Sequence, residues 1–264
     1  MQRKIAIIGG GNLGTAIAEG LLASEFSAPD HIIVTRRTLV ALQPLHQKGV
    51  RIGSDNAAAV RSSDVIILAV KPFQVKDVFQ EISKELTPHH LLISVVTGVL
   101  IREMKSFTGV KLPLFRAMPN TAIAIRQSMT CLSHEDADPQ QVEFVNQLFN
   151  TVGKVTAIEE KLMDAATILG ACGTAYAMRY IRANIQGGIE IGFDAATARL
   201  IAAQTVKGAA ELLLERNTHP EHEIDKVTTP RGCTIAGLNE MEHQGFSSSL
   251  IKGIVASYNK IAKD

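Results

Sequence analysis

Tryptophan is absent from this 264-residue chain, and aromatic residues make up only 5% of it. No stripe of aromatic and basic residues therefore exists to bind nucleic acid. An excess of charge is missing too: 27 Lys and Arg against 26 Asp and Glu leave a formal net charge of +1. Without a long basic block, no global field recruits nucleic acid or an anionic membrane. Cysteine is scarce. Cys131, Cys172 and Cys233 are odd in number, far apart and without zinc-ligand spacing. That excludes a disulfide framework and fits a reducing compartment. Long apolar runs are lacking as well. Leu91 to Ile101 contains Ser94, Thr97 and Gly98 and is too short to span a bilayer. The basic start Met1-Gln2-Arg3-Lys4 leads only to the short run Ile5–Ile8 and then three glycines, too little for a secretory signal. The expectation is a soluble, cytoplasmic protein that engages neither nucleic acid nor membrane.

What is present suits a soluble globular protein: 46% hydrophobic and 20% charged residues, enough to bury a core without metal or disulfide staples. The first part alternates compact Val- and Ile-rich runs with helical stretches. Ile5–Ile8, Ile32–Thr35, Val65–Val70 and Leu91–Val96 read as strands, with helices at Leu13–Ala23, Thr38–Lys48 and Val75–Leu86. Continuous rather than alternating apolarity predicts strands buried on both faces, as in a parallel sheet built of βαβ units. Further short strands are expected at Leu112–Arg116, Met129–Leu132 and Lys154–Thr156. After about residue 158 the rhythm turns helical, over Glu159–Glu190, Ala195–Arg216 and Ile235–His243. The fold class expected is α/β: a Rossmann-type domain over residues 1–158, then an all-helical domain over 159–264.

Gly9, Gly11 and Gly14 form a G-x-G-x-x-G in Gly9-Gly10-Gly11-Asn12-Leu13-Gly14, directly between the first strand and first helix. In that context Gly9 permits the tight turn, Gly11 lets backbone approach a pyrophosphate, and Gly14 lets helix pack on strand. Free amides of Asn12 and Leu13 at the helix start then face the phosphates. An NAD enzyme usually carries an acid at the end of the second strand. Here Thr35-Arg36-Arg37 stands there, which suits the 2′-phosphate of NADP. The alternative is that both arginines are ordinary solvated charges.

At Val70-Lys71-Pro72, at Arg116-Ala117-Met118-Pro119-Asn120-Thr121 and at Thr228-Thr229-Pro230-Arg231-Gly232-Cys233-Thr234, the chain resembles the pyrroline-5-carboxylate reductase family. With the glycine turn these are four motifs in order over essentially the whole length. The resemblance implies NADPH-dependent reduction of 1-pyrroline-5-carboxylate to L-proline, with NADH as the weaker cofactor. It implies a homodimer through interlocking helical domains, and larger rings of dimers are known in the family. It also implies cofactor roles for Asn56, Val70, Lys71, Pro72, Met118, Pro119 and Asn120. From residue type alone, Asn120 reads equally as a turn former bonded to its own backbone.

Hydride addition to a C=N bond asks the protein mainly to position the ring, hold its carboxylate and hydrogen-bond its nitrogen. No G-x-S-x-G, H-E-x-x-H or P-loop motif is present. Pro220 between His219 and His222, with no third ligand, argues against a metal. The loop Thr229–Thr234 precedes a predicted helix, so the amides of Gly232, Cys233 and Thr234 are expected to meet a carboxylate. In the resembled family this loop holds substrate, and Thr234 supplies a hydroxyl to the ring nitrogen; the competing reading is that Thr234 caps the helix. Three departures stand out. Arg231 replaces a family glycine, so its backbone is either left-handed and strained or ordinary. Thr174 replaces a proline and predicts a less kinked helix. Phe73 separates Pro72 from Gln74. Competing functions are reduction of another cyclic imino acid and non-catalytic NADP sensing.

Overall fold

The computed structural model describes residues 3–261; Met1 and Gln2 of the basic start, and residues 262–264, lie outside them. Eight strands form one sheet: β1 (Ile5–Ile8), β2 (Ile32–Thr35), β3 (Arg51–Gly53), β4 (Val65–Leu68), β5 (Leu91–Ser94), β6 (Leu114–Met118), β7 (Ser128–Glu135) and β8 (Gly153–Ala157). Their order is β3-β2-β1-β4-β5-β6-β7-β8. Neighbours are parallel except β6 and β7, which run antiparallel.

Six helices accompany these strands: α1 (Asn12–Ala23), α2 (Gln43–Gln47), α3 (Asn56–Arg61), α4 (Val75–Ile82), α5 (Ile101–Thr108) and α6 (Pro139–Asn150). Side chains alternate between the two sheet faces, as the strand period requires. Ile5, Ile7, Val34, Ile67 and Ile93 pack with Ile17 and Leu21 of α1 and with Leu148 and Phe149 of α6. Ala6, Ile8, Ile66, Leu68 and Leu92 pack with Val60 of α3, Phe79 and Ile82 of α4 and Met104 of α5. Full burial of one such aliphatic side chain stabilises the fold by roughly 1.5–3 kcal/mol, so these two layers supply the main cohesion of the sheet.

Beyond the sheet come α7 (Met163–Ala166), a π-helical turn at Thr167–Cys172, then α8 (Gly173–Glu190), α9 (Ala195–Arg216), α10 (Pro220–Val227), α11 (Cys233–His243) and α12 (Phe246–Ile261). The chain divides into two compact units between Cys172 and Gly173. Asp194 starts α9 by accepting hydrogen bonds from the amides of Ala196 and Thr197, and Asn217 ends it in the left-handed region.

The elements depart locally from the sequence reading. The stretch Thr38–Lys48 splits into a 3-10 turn at Leu39–Leu42 and then α2. Pro44 lies in the first turn of α2, where its missing N–H costs nothing. The α-helix expected to Leu86 ends at Ile82 and finishes as a 3-10 turn; Pro88 disfavours helix just beyond. The π turn interrupts the long helix expected from Glu159 and ends two residues before Thr174, although no proline stands there. The hydroxyl of Thr167 donates back to the carbonyl of Met163 at 2.9 Å.

Candidate active site

A crevice of about 970 Å³ opens beyond the C-terminal ends of β1, β2, β4 and β5, where strand order reverses about β1. Open α/β sheets bind ligands at such a switch point. Its floor is the glycine turn. Gly9 has a φ of 111°, and a Cβ there would lie 2.6 Å from the carbonyl oxygen of Ala69. A Cβ on Gly14 would come within 2.1 Å of the Gly9 carbonyl oxygen; Gly14 is buried and sets the packing of α1 rather than lining the crevice. Gly11 differs. Its Cβ would meet nothing within 4 Å, yet its backbone lines the crevice. Gly11 is also the N-cap of α1, with no side chain capping it and no acid in the first turn. The amides of Asn12 and Leu13 at that end thus keep their donors for an anion.

The second wall comes from the end of β2. The Thr35 carbonyl accepts hydrogen bonds from the Gly9 and Gly10 amides at 3.2 and 2.7 Å, which ties the turn to β2. The Thr35 hydroxyl, expected to help hold a phosphate, donates instead to Asn56 Oδ1 at 2.6 Å. Thr35 lines the crevice, but it is buried and its single hydroxyl proton is engaged, so it offers no free donor there. Arg36 Nη1 donates to the Gly10 carbonyl at 2.9 Å, which lays that guanidinium over the glycine turn. Arg37 is exposed beside it, and both line the crevice. Asn56 opens α3 and also lines it. Val70, Lys71 and Pro72 complete the wall after β4, with the Lys71 amide donating to Gln74 Oε1 at 3.1 Å.

The structure does not bring the β6 motif to this wall as the sequence suggests. Met118 and Pro119 are buried, and Thr121 is the residue that reaches the crevice. Asn120 Oδ1 accepts from the Ala122 amide at 3.0 Å, and its Nδ2 donates to the Gly170 carbonyl at 3.3 Å. The turn-forming reading of Asn120 therefore holds. Arg116 is 2% exposed and pairs with Glu160 at 3.1 Å, so this motif residue is internal. Sequence reasoning missed Thr38, Ser54, Asp77, Glu81 and Thr97 in the lining. The last three come from helices or loops whose facing side no motif announces.

The second unit holds the late loop. Arg231 adopts a φ of 61°, so the left-handed alternative is the one realised. The Gly232 amide, expected to face a ligand, donates to the Thr229 carbonyl at 2.9 Å instead. A Cβ on Gly232 would lie 2.6 Å from the Thr229 hydroxyl oxygen, so only glycine closes this turn without displacement. Gly232 is the N-cap of α11 and offers no side-chain cap. The helix begins two residues earlier than the sequence suggests, placing Thr234 inside its first turn. Thr234 therefore does not cap the helix, and its hydroxyl makes no hydrogen bond among the described residues. The amides of Cys233 and Thr234 lie in that same first turn, where intrahelical acceptors are lacking. His219 caps α10 by accepting from the Glu221 amide at 3.3 Å. Among the described residues no group of three or more His, Cys, Asp or Glu could hold a metal ion.

A glycine turn open to solvent, an uncapped helix start and two arginines at the end of β2 fit a phosphorylated dinucleotide, which makes this a Rossmann-type oxidoreductase. Two family profiles divide the chain accordingly: "NADP oxidoreductase coenzyme F420-dependent" over residues 4–98 and "Pyrroline-5-carboxylate reductase dimerisation" over residues 160–264. Pyrroline-5-carboxylate reductase 1 of Dictyostelium discoideum is 48% identical over 98% of this chain, which spans about half (49%) of that relative's length. Pyrroline-5-carboxylate reductase 2 of the same organism is 44% identical, over 99% of this chain and 93% of its own. The crystal structure of Plasmodium falciparum pyrroline carboxylate reductase with NADP bound matches at a TM-score of 0.90 and 25% identity, over 99% of this chain and 98% of that one. The chain belongs to the pyrroline-5-carboxylate reductase family.

Proposed function

We propose that the protein reduces 1-pyrroline-5-carboxylate to L-proline with NADPH, the last step of proline biosynthesis, in the cytoplasm. It acts as a homodimer joined through the helical domain, with residues 1–158 binding NADP and 159–264 binding substrate and partner; rings of such dimers extend the same reading. What supports this is that helix-start amides stand uncommitted in both units. The start of α1 and the start of α11 are each opened by a glycine that caps nothing.

In this reading the amides of Asn12 and Leu13, beside Gly9, Gly11 and Gly14, hold the pyrophosphate. Arg36 and Arg37 hold the 2′-phosphate, with Thr35 and Asn56 shaping that end and Val70, Lys71 and Pro72 the opposite wall. Met118, Pro119 and Asn120 act beneath the wall by setting Thr121. Bound there, NADPH supplies a hydride. The first-turn amides of α11, at Cys233 and Thr234, hold the substrate carboxylate, aided by the helix dipole. Thr229 and Gly232 shape that turn. The Thr234 hydroxyl donates a hydrogen bond to the ring nitrogen and so orients the imine on that loop.

The direct test follows NADPH oxidation at 340 nm (the ordinary absorbance assay for this cofactor) with the five-membered imine, alongside the six-membered ring and with NADH. We expect turnover of the five-membered ring to exceed that of the six-membered ring, and NADPH to be preferred. Arg37→Ala should raise the KM for NADPH about tenfold and leave that for NADH nearly unchanged. Preference for the six-membered ring would move the assignment to another cyclic imino acid; tight NADPH binding without turnover would make the protein a sensor.

A further inference from the structure

The sequence shows no acid at the end of β2, yet the folded crevice contains one. Glu81, from the last turn of α4, lines the same crevice as Arg36, Arg37 and Asn56. Its Oε2 accepts a hydrogen bond from Asn56 Nδ2 at 2.6 Å, and Asn56 Oδ1 in turn accepts from the Thr35 hydroxyl at 2.6 Å. Two hydrogen bonds thus link the Glu81 carboxylate to the last residue of β2. In a Rossmann fold that is where the adenosine ribose is read, either by an acid that accepts from its hydroxyls or by cations that hold its 2′-phosphate. Glu81 forms no ion pair among the described residues, and Asp77 lies one helical turn before it on the same crevice-lining face.

We infer that Glu81 is a specificity-determining residue for the nicotinamide cofactor, opposing the 2′-phosphate of NADP and keeping the ribose end serviceable for NADH. The inference rests on the dinucleotide reading above. Its physics is simple. Arg36 and Arg37 attract a dianionic phosphate, while a carboxylate in the same crevice repels it and accepts from a free ribose hydroxyl. The chain Thr35–Asn56–Glu81 also fixes the orientation of the Asn56 amide, because each of its polar atoms meets a complementary partner. Glu81 acts by charge at the ribose end and, through Asn56, by position.

The test is calorimetric binding of adenosine 2′,5′-bisphosphate and of ADP to the full chain, as wild type, Glu81→Gln and Glu81→Asp. Glutamine retains an oxygen to accept from Asn56 and removes only the charge. We expect Glu81→Gln to bind the bisphosphate about fivefold more tightly, with ADP unchanged or weaker. Glu81→Asp should keep the wild-type ratio within about twofold, and the gap between wild type and Glu81→Gln should close at about 1 M salt. In turnover, Glu81→Gln should lower the KM for NADPH relative to that for NADH. A Glu81→Gln protein whose ratio of bisphosphate to ADP affinity matches wild type would overturn this assignment alone. Wild-type protein that binds neither nucleotide would overturn the dinucleotide reading as well.

Discussion

The two units of this protein handle apolar side chains in opposite ways. In the first, every residue of β1, β2, β4, β5 and β6 is buried, because helices cover both faces of the sheet. In the second, the only buried hydrophobic residues among those described are Ala198 and Ala202. Ile191, Leu200, Leu214 and Ile251, at 60–78% exposure, stand open along with Met178 and Phe193. The contrast does not lie in residue type, since both units are rich in Leu, Ile and Ala. It lies in what is available to cover them. A sheet with helices on both sides completes its own core; this set of long helices does not, and such a surface calls for a partner. The dimerisation profile over residues 160–264 falls on that segment.

If this contrast is sound, charge should be harmless on one unit and ruinous on the other. Leu200→Glu combined with Leu214→Glu should convert the dimer to monomer at low micromolar concentration and lower activity by more than about 100-fold. Val40→Glu, at a site 77% exposed in the first unit, should change neither. Sedimentation velocity on the two proteins is the measurement. An intact, active dimer carrying both glutamates would break the comparison.

A smaller effect separates chemistry from assembly within the second unit. Thr234→Ala should lower kcat/KM about 10²-fold, while the dimer and the affinity for NADPH stay as in wild type. Thr234→Ser should retain most activity. Because Gly232 rather than Thr234 occupies the N-cap, little stability should be lost; a Thr234→Ala enzyme with full turnover and a lowered Tm would return the residue to a structural role.

The smallest expected effect concerns Arg231, held at a φ of 61° next to Gly232, the N-cap of α11. Arg231→Gly should stabilise the protein by roughly 0.5–1 kcal/mol, since the left-handed strain it removes exceeds the extra freedom glycine gains in the unfolded chain. Chemical denaturation reads this directly. Destabilisation would mean that the arginine side chain contributes more in the assembled protein than its backbone angle costs.

Much of the first unit was readable in order along the chain. Continuous apolar runs marked β1, β2, β4 and β5, and the glycine spacing marked the nucleotide turn, because both signals are local. β3 escaped, being only three residues long with Ile52 as its single apolar side chain. The helix α6 escaped although Asp138, Pro139 and Gln141 carry a local start signal for it. In the site, the residues expected at Gly9–Leu13, Arg36, Arg37, Asn56 and Val70–Pro72 all line one crevice. Thr35 lines it too, but its hydroxyl, like the Asn120 side chain and the Gly232 amide, took an internal partner. Residue type announces that a hydroxyl or amide will bond, but the fold decides to what.

The sequence by itself determined β1, β2, β4 and β5, the glycine turn for a dinucleotide and the family, since each is written in spacing of a few residues. Only the tertiary structure decided three things. It engaged the Thr35 hydroxyl with Asn56, put the N-cap of α11 at Gly232 rather than Thr234, and brought the Glu81 carboxylate to the end of a strand 46 residues earlier (Thr35 to Glu81). The reason is common to all three. Hydrogen-bond partners distant along the chain are chosen by the packing of helices on a sheet, and that packing depends on the whole core rather than on any short stretch of residues.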